Sequence, residues 1–167
     1  MEHQNSDMLQ NARVQKILEE VPLLFRKFSP DDIRAFILCG DLEEYRHGDV
    51  IVSENGGLIE YGCLITEGSA SLYREDVYFG TLKPGDFLGE TFLFRKIIPA
   101  GTLVASESTA VIKFDRKEVL QFFETRPDRL FKLFIVNLLE LQNQKLIQAG
   151  KKILYIHKKL MQNSQKD

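Results

Sequence analysis

Between Asp41 and Phe114 short apolar runs alternate with turn signals, and this punctuation constrains the fold more tightly than any other feature of the chain. His47, Gly48 and Asp49 make one turn, Glu54 to Gly57 a second, Glu67 and Gly68 a third, and Pro84, Gly85 and Asp86 a fourth. Glycine and proline at these places supply backbone angles that interrupt a helix or a long strand. Between them lie strand-like runs at Val50 to Val52, Cys63 to Thr66, Ser69 to Arg74, Val77 to Leu82, Thr102 to Ser106 and Ala110 to Phe114, with Leu42 and Tyr45 ahead of the first turn. About eight short strands at near-regular spacing predict a small sandwich or barrel, and a jelly roll fits best.

The flanks read differently. Residues 1–8 are polar and expected to fray. From Leu9 to Val21 the spacing of Val14, Ile17, Leu18 and Val21 is helical, Pro22 closes it, and Leu23, Leu24, Phe25 and Phe28 form an apolar hinge. Ser29, Pro30, Asp31 and Asp32 combine a capping hydroxyl, a first-turn proline and two first-turn carboxylates; Ile33, Phe36 and Ile37 give this helix its buried face, and Gly40 is expected to end it. Past the strands, Asp115 with Glu118 makes a capping box before Val119, Leu120, Phe122 and Phe123. Arg126 and Pro127 interrupt, and a long helix is predicted from Asp128 to about Gln162. The chain therefore divides into N-terminal helices (1–40), a β region (41–114) and C-terminal helices (115–163), a mainly β fold with flanking helices and a long C-terminal helix.

That last helix carries two apolar stripes. Ile135, Leu139, Gln142, Leu146, Ala149, Ile153, Ile156 and Leu160 alternate by four and three, a heptad seam with one polar member. Leu130, Leu133, Phe134, Leu138 and Leu141 form the second stripe, expected to face the barrel. Two stripes need two partners: one is the chain's own β region, and the other is most simply a second copy, giving a parallel homodimer. Gly150 lies mid-helix, where glycine costs about 1 kcal/mol relative to alanine, so the helix either continues or kinks there.

Composition narrows the function. The chain has 167 residues, 44% apolar and 28% charged, enough to bury a core, and its net charge of −2 gives no field for nucleic acid. Lys151, Lys152, Lys158, Lys159 and Lys166 are interleaved with Ile153, Leu154, Ile156 and Leu160 and read as the wet side of an amphipathic helix rather than a phosphate track. Neither a signal peptide nor a long apolar run is evident, so a cytoplasmic location without membrane association is expected. Cys39 and Cys63 have no metal or redox spacing and read as buried thiols, while His3, His47 and His157 are isolated, His47 in an exposed turn. No serine sits in a strained elbow and Glu107 and Glu124 lack a carboxylate partner, so no enzyme, metal or cofactor is expected.

The stretch with ligand chemistry is Lys83 to Ala105, KPGDFLGETFLFRKIIPAGTLVA. After the Pro84 to Asp86 turn, Phe87 and Leu88 make a strand-like step, Gly89 bends the chain, and Glu90 to Phe94 read as one helical turn with outward N–H groups. Such amides suit a phosphate, and the Glu90 carboxylate suits the hydroxyls of an attached sugar. Alternatively Glu90 caps the turn or pairs with Arg95. Phe92 and Phe94 read as core.

This stretch resembles the phosphate-binding cassette of cyclic nucleotide-binding domains of the catabolite activator protein type. Gly85, Asp86, Phe87, Gly89 and Glu90 match its first half, and Thr102, Leu103 and Ala105 its end; VPLLFRKFSPDDIRAFI, YRHGDVIVSENGG and CLITEGSASLYRED resemble the family's helices and hairpins in order. The resemblance runs from about Val21 to Leu139 and implies a β jelly roll (double-stranded β-helix), a regulatory sensor role, and cAMP or cGMP as ligand, held by Gly89, Glu90, Thr91 and Thr102. In this register the family's phosphate-binding arginine falls on Pro99, which has no donor. A guanidinium–phosphate contact contributes about 1.5–3 kcal/mol, so a micromolar site becomes one of tens to hundreds of micromolar. Arg95 and Lys96 compensate if their loop folds back, and Asn143 and Gln144, with Lys145, occupy positions that touch the base in family regulators; otherwise they are a solvated polar face. Family DNA-binding regulators continue into a winged helix-turn-helix; this sequence stops at Asp167, so direct DNA binding is not expected and a downstream protein partner is. The competing expectation is a ligand-free oligomerisation or protein-interaction module.

Overall fold

The computed structural model of the chain describes residues 7–163; the expectations for residues 1–6, for His3 and for Lys166 lie outside the described residues. Helix α1 (Ala12–Glu20), a 3-10 turn (Leu23–Phe25) and α2 (Pro30–Ile37) precede strands β1 (Gly40–Tyr45), β2 (Val50–Val52), β3 (Tyr61–Glu67), β4 (Ala70–Arg74), β5 (Val77–Leu82), β6 (Phe87–Leu88), β7 (Thr102–Ala105) and β8 (Thr109–Asp115). Helices α3 (Arg116–Glu124) and α4 (Asp128–Asn163) follow. The strands form two four-stranded antiparallel sheets, ordered β1-β8-β3-β6 and β2-β7-β4-β5. The fold is the expected jelly roll with flanking helices and a long C-terminal helix.

Alternation along β3 and β8 builds two cores. Cys63, Ile65 and Val111 point between the sheets with Ile51, Val52, Ala70, Leu82, Leu103 and Ala105. Leu64, Ile112 and Phe114 point the other way, into a core shared with the helices. Its centre is Phe36, whose ring lies within 6.4 Å of those of Phe25, Phe28, Phe114, Phe122, Phe123 and Phe134. The helix starts follow the local signals: Ser29 Oγ accepts from the Asp32 amide at 3.1 Å, and Asp115 Oδ1 accepts from Lys117 and Glu118.

Several local expectations shift. Residues 7–10 are already helical, two of them within the stretch expected to fray, but Asn11 bends the chain and its side chain accepts from the Arg13 amide, so the predicted helix is divided and α1 restarts at Ala12. Gly40 does not end α2, which stops at Ile37; it opens β1 instead. A Cβ at Gly40 would stand 2.4 Å from Ile112 Cγ2, so a close approach between β1 and β8 demands glycine there. Cys39 is half-buried rather than buried. Helix α4 runs unbroken through Gly150 for 36 residues.

Only the first half of α4 is packed. Leu130, Phe134, Leu138 and Leu141 are buried as expected, Leu133 half-buried. Asn137 is buried among them, and its Nδ2 donates to the carbonyls of Leu24 at 3.0 Å and Arg26 at 2.9 Å, pinning α4 to the 3-10 turn. Past Leu141 no described side chain of α4 is buried. Along the seam Leu139, Leu146, Ile153, Ile156 and Leu160 are 48–72% exposed.

Candidate functional site

Strand β6 lasts two residues because Gly89 turns the chain away from it. Gly89 has φ +96°, a region that costs other residues strain, and a Cβ there would come within 3.0 Å of the Tyr61 carbonyl oxygen. Beyond it the expected helical turn is replaced by two successive tight turns, Phe92 N–H to Gly89 O at 2.8 Å and Phe94 N–H to Thr91 O at 3.0 Å. The segment is fixed at both ends: Phe92 and Leu93 are buried in the helical core, and Ile97 exchanges backbone hydrogen bonds with Ile59. Too few residues remain between to nucleate a helix.

This corner aims Glu90 at α4. Its side chain is 6% exposed, and its ion-pair partner is Lys145 from α4 rather than Arg95, which the alternative reading offers. The Lys145 ammonium also donates to the Phe87 carbonyl oxygen at 2.6 Å. It meets Glu90 Oε1 off the direction a hydrogen bond needs, so that fully buried oxygen accepts none. Beside the pair is a cavity of about 50 Å³ lined by Glu90, Thr91, Phe94, Ile135, Leu138, Leu139 and Gln142. Small-molecule pockets take about 300 Å³ or more, so with α4 docked the space holds no nucleotide.

The other sequence-derived site residues are dispersed. Gly89, Glu90 and Thr91 stay together, Thr91 exposed at the cavity rim. Arg95 is exposed, and Lys96, 3.0 Å from Glu60, shares that carboxylate with Arg116. Thr102 lies on β7 and its hydroxyl is engaged by Glu54, accepting from the Glu54 amide at 3.3 Å. Asn143 and Gln144 point to solvent, whereas the next residue, Lys145, reaches the cassette. Lys145 stands four residues after Leu141 and seven after Leu138, both buried; that spacing was the available signal. Phe92 is core, but Phe94 is 64% exposed, turned out over the cavity. Pro99 is buried.

Cys63, paired with Leu88 just before Gly89, has its thiol pushed up to about 12, chiefly by burial. Cys39 rises to about 11 for the same main reason. Among the described residues no three His, Cys, Asp or Glu side chains are grouped to hold a metal, and no helix is long and apolar enough to cross a membrane.

The family model described as "Cyclic nucleotide-binding domain" matches residues 42–126, every strand after the start of β1 together with the glycine corner and α3. The chain belongs to the cyclic nucleotide-binding domain family. Solved members of this fold superpose well. A cyclic nucleotide-binding domain from Methylobacillus flagellatus has TM-score 0.72 and 17% identity, covering 88% of this chain and 93% of that one. The Thermus thermophilus catabolite activator protein has TM-score 0.67 and 22% identity, over 81% of this chain and 63% of that one. The sensor domain of the transcriptional regulator DNR from Pseudomonas aeruginosa has TM-score 0.60 and 16% identity, over 83% and 93%. At these identities the likeness is one of fold. No curated protein matches the sequence.

Proposed function

We propose that this cyclic nucleotide-binding domain acts as a cytoplasmic, non-catalytic regulatory sensor whose ligand, cAMP or cGMP bound weakly, engages the corner at Gly89, Glu90 and Thr91. The observation that carries this reading is the Glu90 carboxylate: it is 6% exposed at a glycine-enforced bend, with one oxygen accepting no hydrogen bond. A sugar hydroxyl satisfies such an acceptor, which its ion pair with Lys145 leaves without a hydrogen bond. Ligand entry requires the second half of α4 to swing off the corner. That swing passes to a second copy along the exposed seam, changing dimer geometry and, through it, contact with a downstream protein. Direct DNA contact is not part of the proposal, since the net charge is −2.

A second reading is a ligand-free oligomerisation or docking module, favoured by the donorless Pro99 and by the commitment of Lys96 to Glu60. Titration calorimetry of the full chain with cAMP and cGMP separates the two. Sensing predicts heat with a dissociation constant below about 100 μM, equivalent to about −5.5 kcal/mol, and a loss of about tenfold in Glu90→Gln. Silence for both nucleotides leaves the interaction module.

A further inference from the structure

The corner beside Gly89 presents acceptors and no cation of its own. Glu90 Oε1 and the Phe87 carbonyl oxygen converge on one point, and Phe94, Ile135, Leu138 and Leu139 make most of the remaining lining apolar, with Thr91 and Gln142 as its polar members. Two acceptors against an apolar wall select a donor-rich cationic head on an aliphatic stem. One such group already fills it. Lys145 sits where both acceptors meet, carried by a helix that past Leu141 buries nothing else. One heptad further on, Lys152 repeats the pattern, its ammonium 2.8 Å from the Phe79 carbonyl oxygen and over the Tyr78 and Phe79 rings. The unpacked half of α4 is thus laid onto the β roll by lysine heads on the roll's acceptors, two helical turns apart.

We propose that the Glu90–Phe87 corner is an alkylammonium site whose built-in occupant is Lys145, so that α4 is latched over the pocket and any other ligand must displace the chain's own side chain. Nucleotide displacement rests on the sensing reading above; the latch itself does not. The Lys145 side chain accounts for the off-axis carboxylate contact. A ligand that brings hydroxyls to Glu90 competes directly with the ammonium.

Chemical rescue tests the latch. In the full chain, Lys145→Ala is expected to lower the melting temperature by about 4–8 °C, since it strands a buried carboxylate whose partner was half-exposed. Propylammonium chloride is expected to restore much of that loss, tetramethylammonium chloride at the same ionic strength none, because it has no N–H to donate. Lys145→Ala combined with Glu90→Gln should show no rescue. Unchanged melting of Lys145→Ala, or equal effects of the two salts, overturns the proposal. Should Lys145→Ala fail to fold, Lys145→Met keeps the stem; faster hydrogen exchange at the Phe92 and Phe94 amides supports the latch and unchanged exchange refutes it. Calorimetry with cAMP distinguishes the two readings. Binding at least about tenfold tighter in Lys145→Ala than in the unmodified chain supports both. Silence in both proteins with rescue intact removes nucleotide sensing and keeps the latch. Equal binding in both removes the latch and keeps sensing.

Discussion

Cys63 shows what one side chain gains from its place between the sheets. It is 1% exposed, and burial pushes its thiol up to about 12, so the native chain holds that proton to higher pH than the unfolded chain does. A raised native value stabilises fully below the unfolded value of about 8.5 and is lost as pH climbs toward the native one. Cys39, raised to about 11, titrates in the same sense, so urea melts of the full chain should lose about 2.7 kcal/mol between about pH 7.5 and 9.5, about 1.4 kcal/mol from each thiol, and Cys63→Ala should lose about half as much. Tyr45 reinforces the trend higher up, its phenol pushed up to about 12 by burial and by its hydrogen bond to Glu43. Equal slopes for the two proteins would show that the thiol is not the titrating group.

At the scale of elements, the decisive joint is between α4 and the 3-10 turn. Asn137 spends both amide hydrogens on the Leu24 and Arg26 carbonyls in a buried setting, so Asn137→Ala leaves two acceptors without donors. A loss of about 1–3 kcal/mol is expected by chemical denaturation, with faster exchange along α4 before the strands. Elements governed by neighbours in sequence were legible beforehand: the Ser29 and Asp115 caps, the turns of the β region and the buried stripe from Leu130 to Leu141 all follow from spacing. Gly40 was misread because its reason lies across the sheet, in Ile112 and Phe114. The corner at Gly89 and Glu90 was legible as a bend bearing a carboxylate. Its occupant was not, because the meeting of Lys145 with Phe87 depends on how a helix 58 residues away in sequence is laid down. Likewise Thr102 was singled out from a register, while the hydroxyl's engagement with Glu54 comes from strand pairing far upstream.

For the whole molecule, the exposed seam sets the expected assembly. Leu139, Leu146, Ile153 and Leu160 repeat every seven residues, each more than 60% exposed, and the proposed parallel second copy would cover them. Sedimentation should find a dimer whose dissociation constant weakens by at least about tenfold in Leu146→Asp combined with Ile153→Asp, with the jelly roll still folded. A truncation after Gly150 that remains as dimeric as the full chain would show that contact is made elsewhere.

The unbroken passage of α4 through Gly150 has a mechanical corollary. From Asn137 to Asn163 the helix rises through 26 residue steps, about 39 Å at 1.5 Å each. Pivoting about Asn137 through about 10° would sweep the far tip sideways by about 7 Å, more than one helical pitch. A displacement too slight to disturb the roll would thus arrive at the other end as a shift of register, turning a stiff rod into an amplifier.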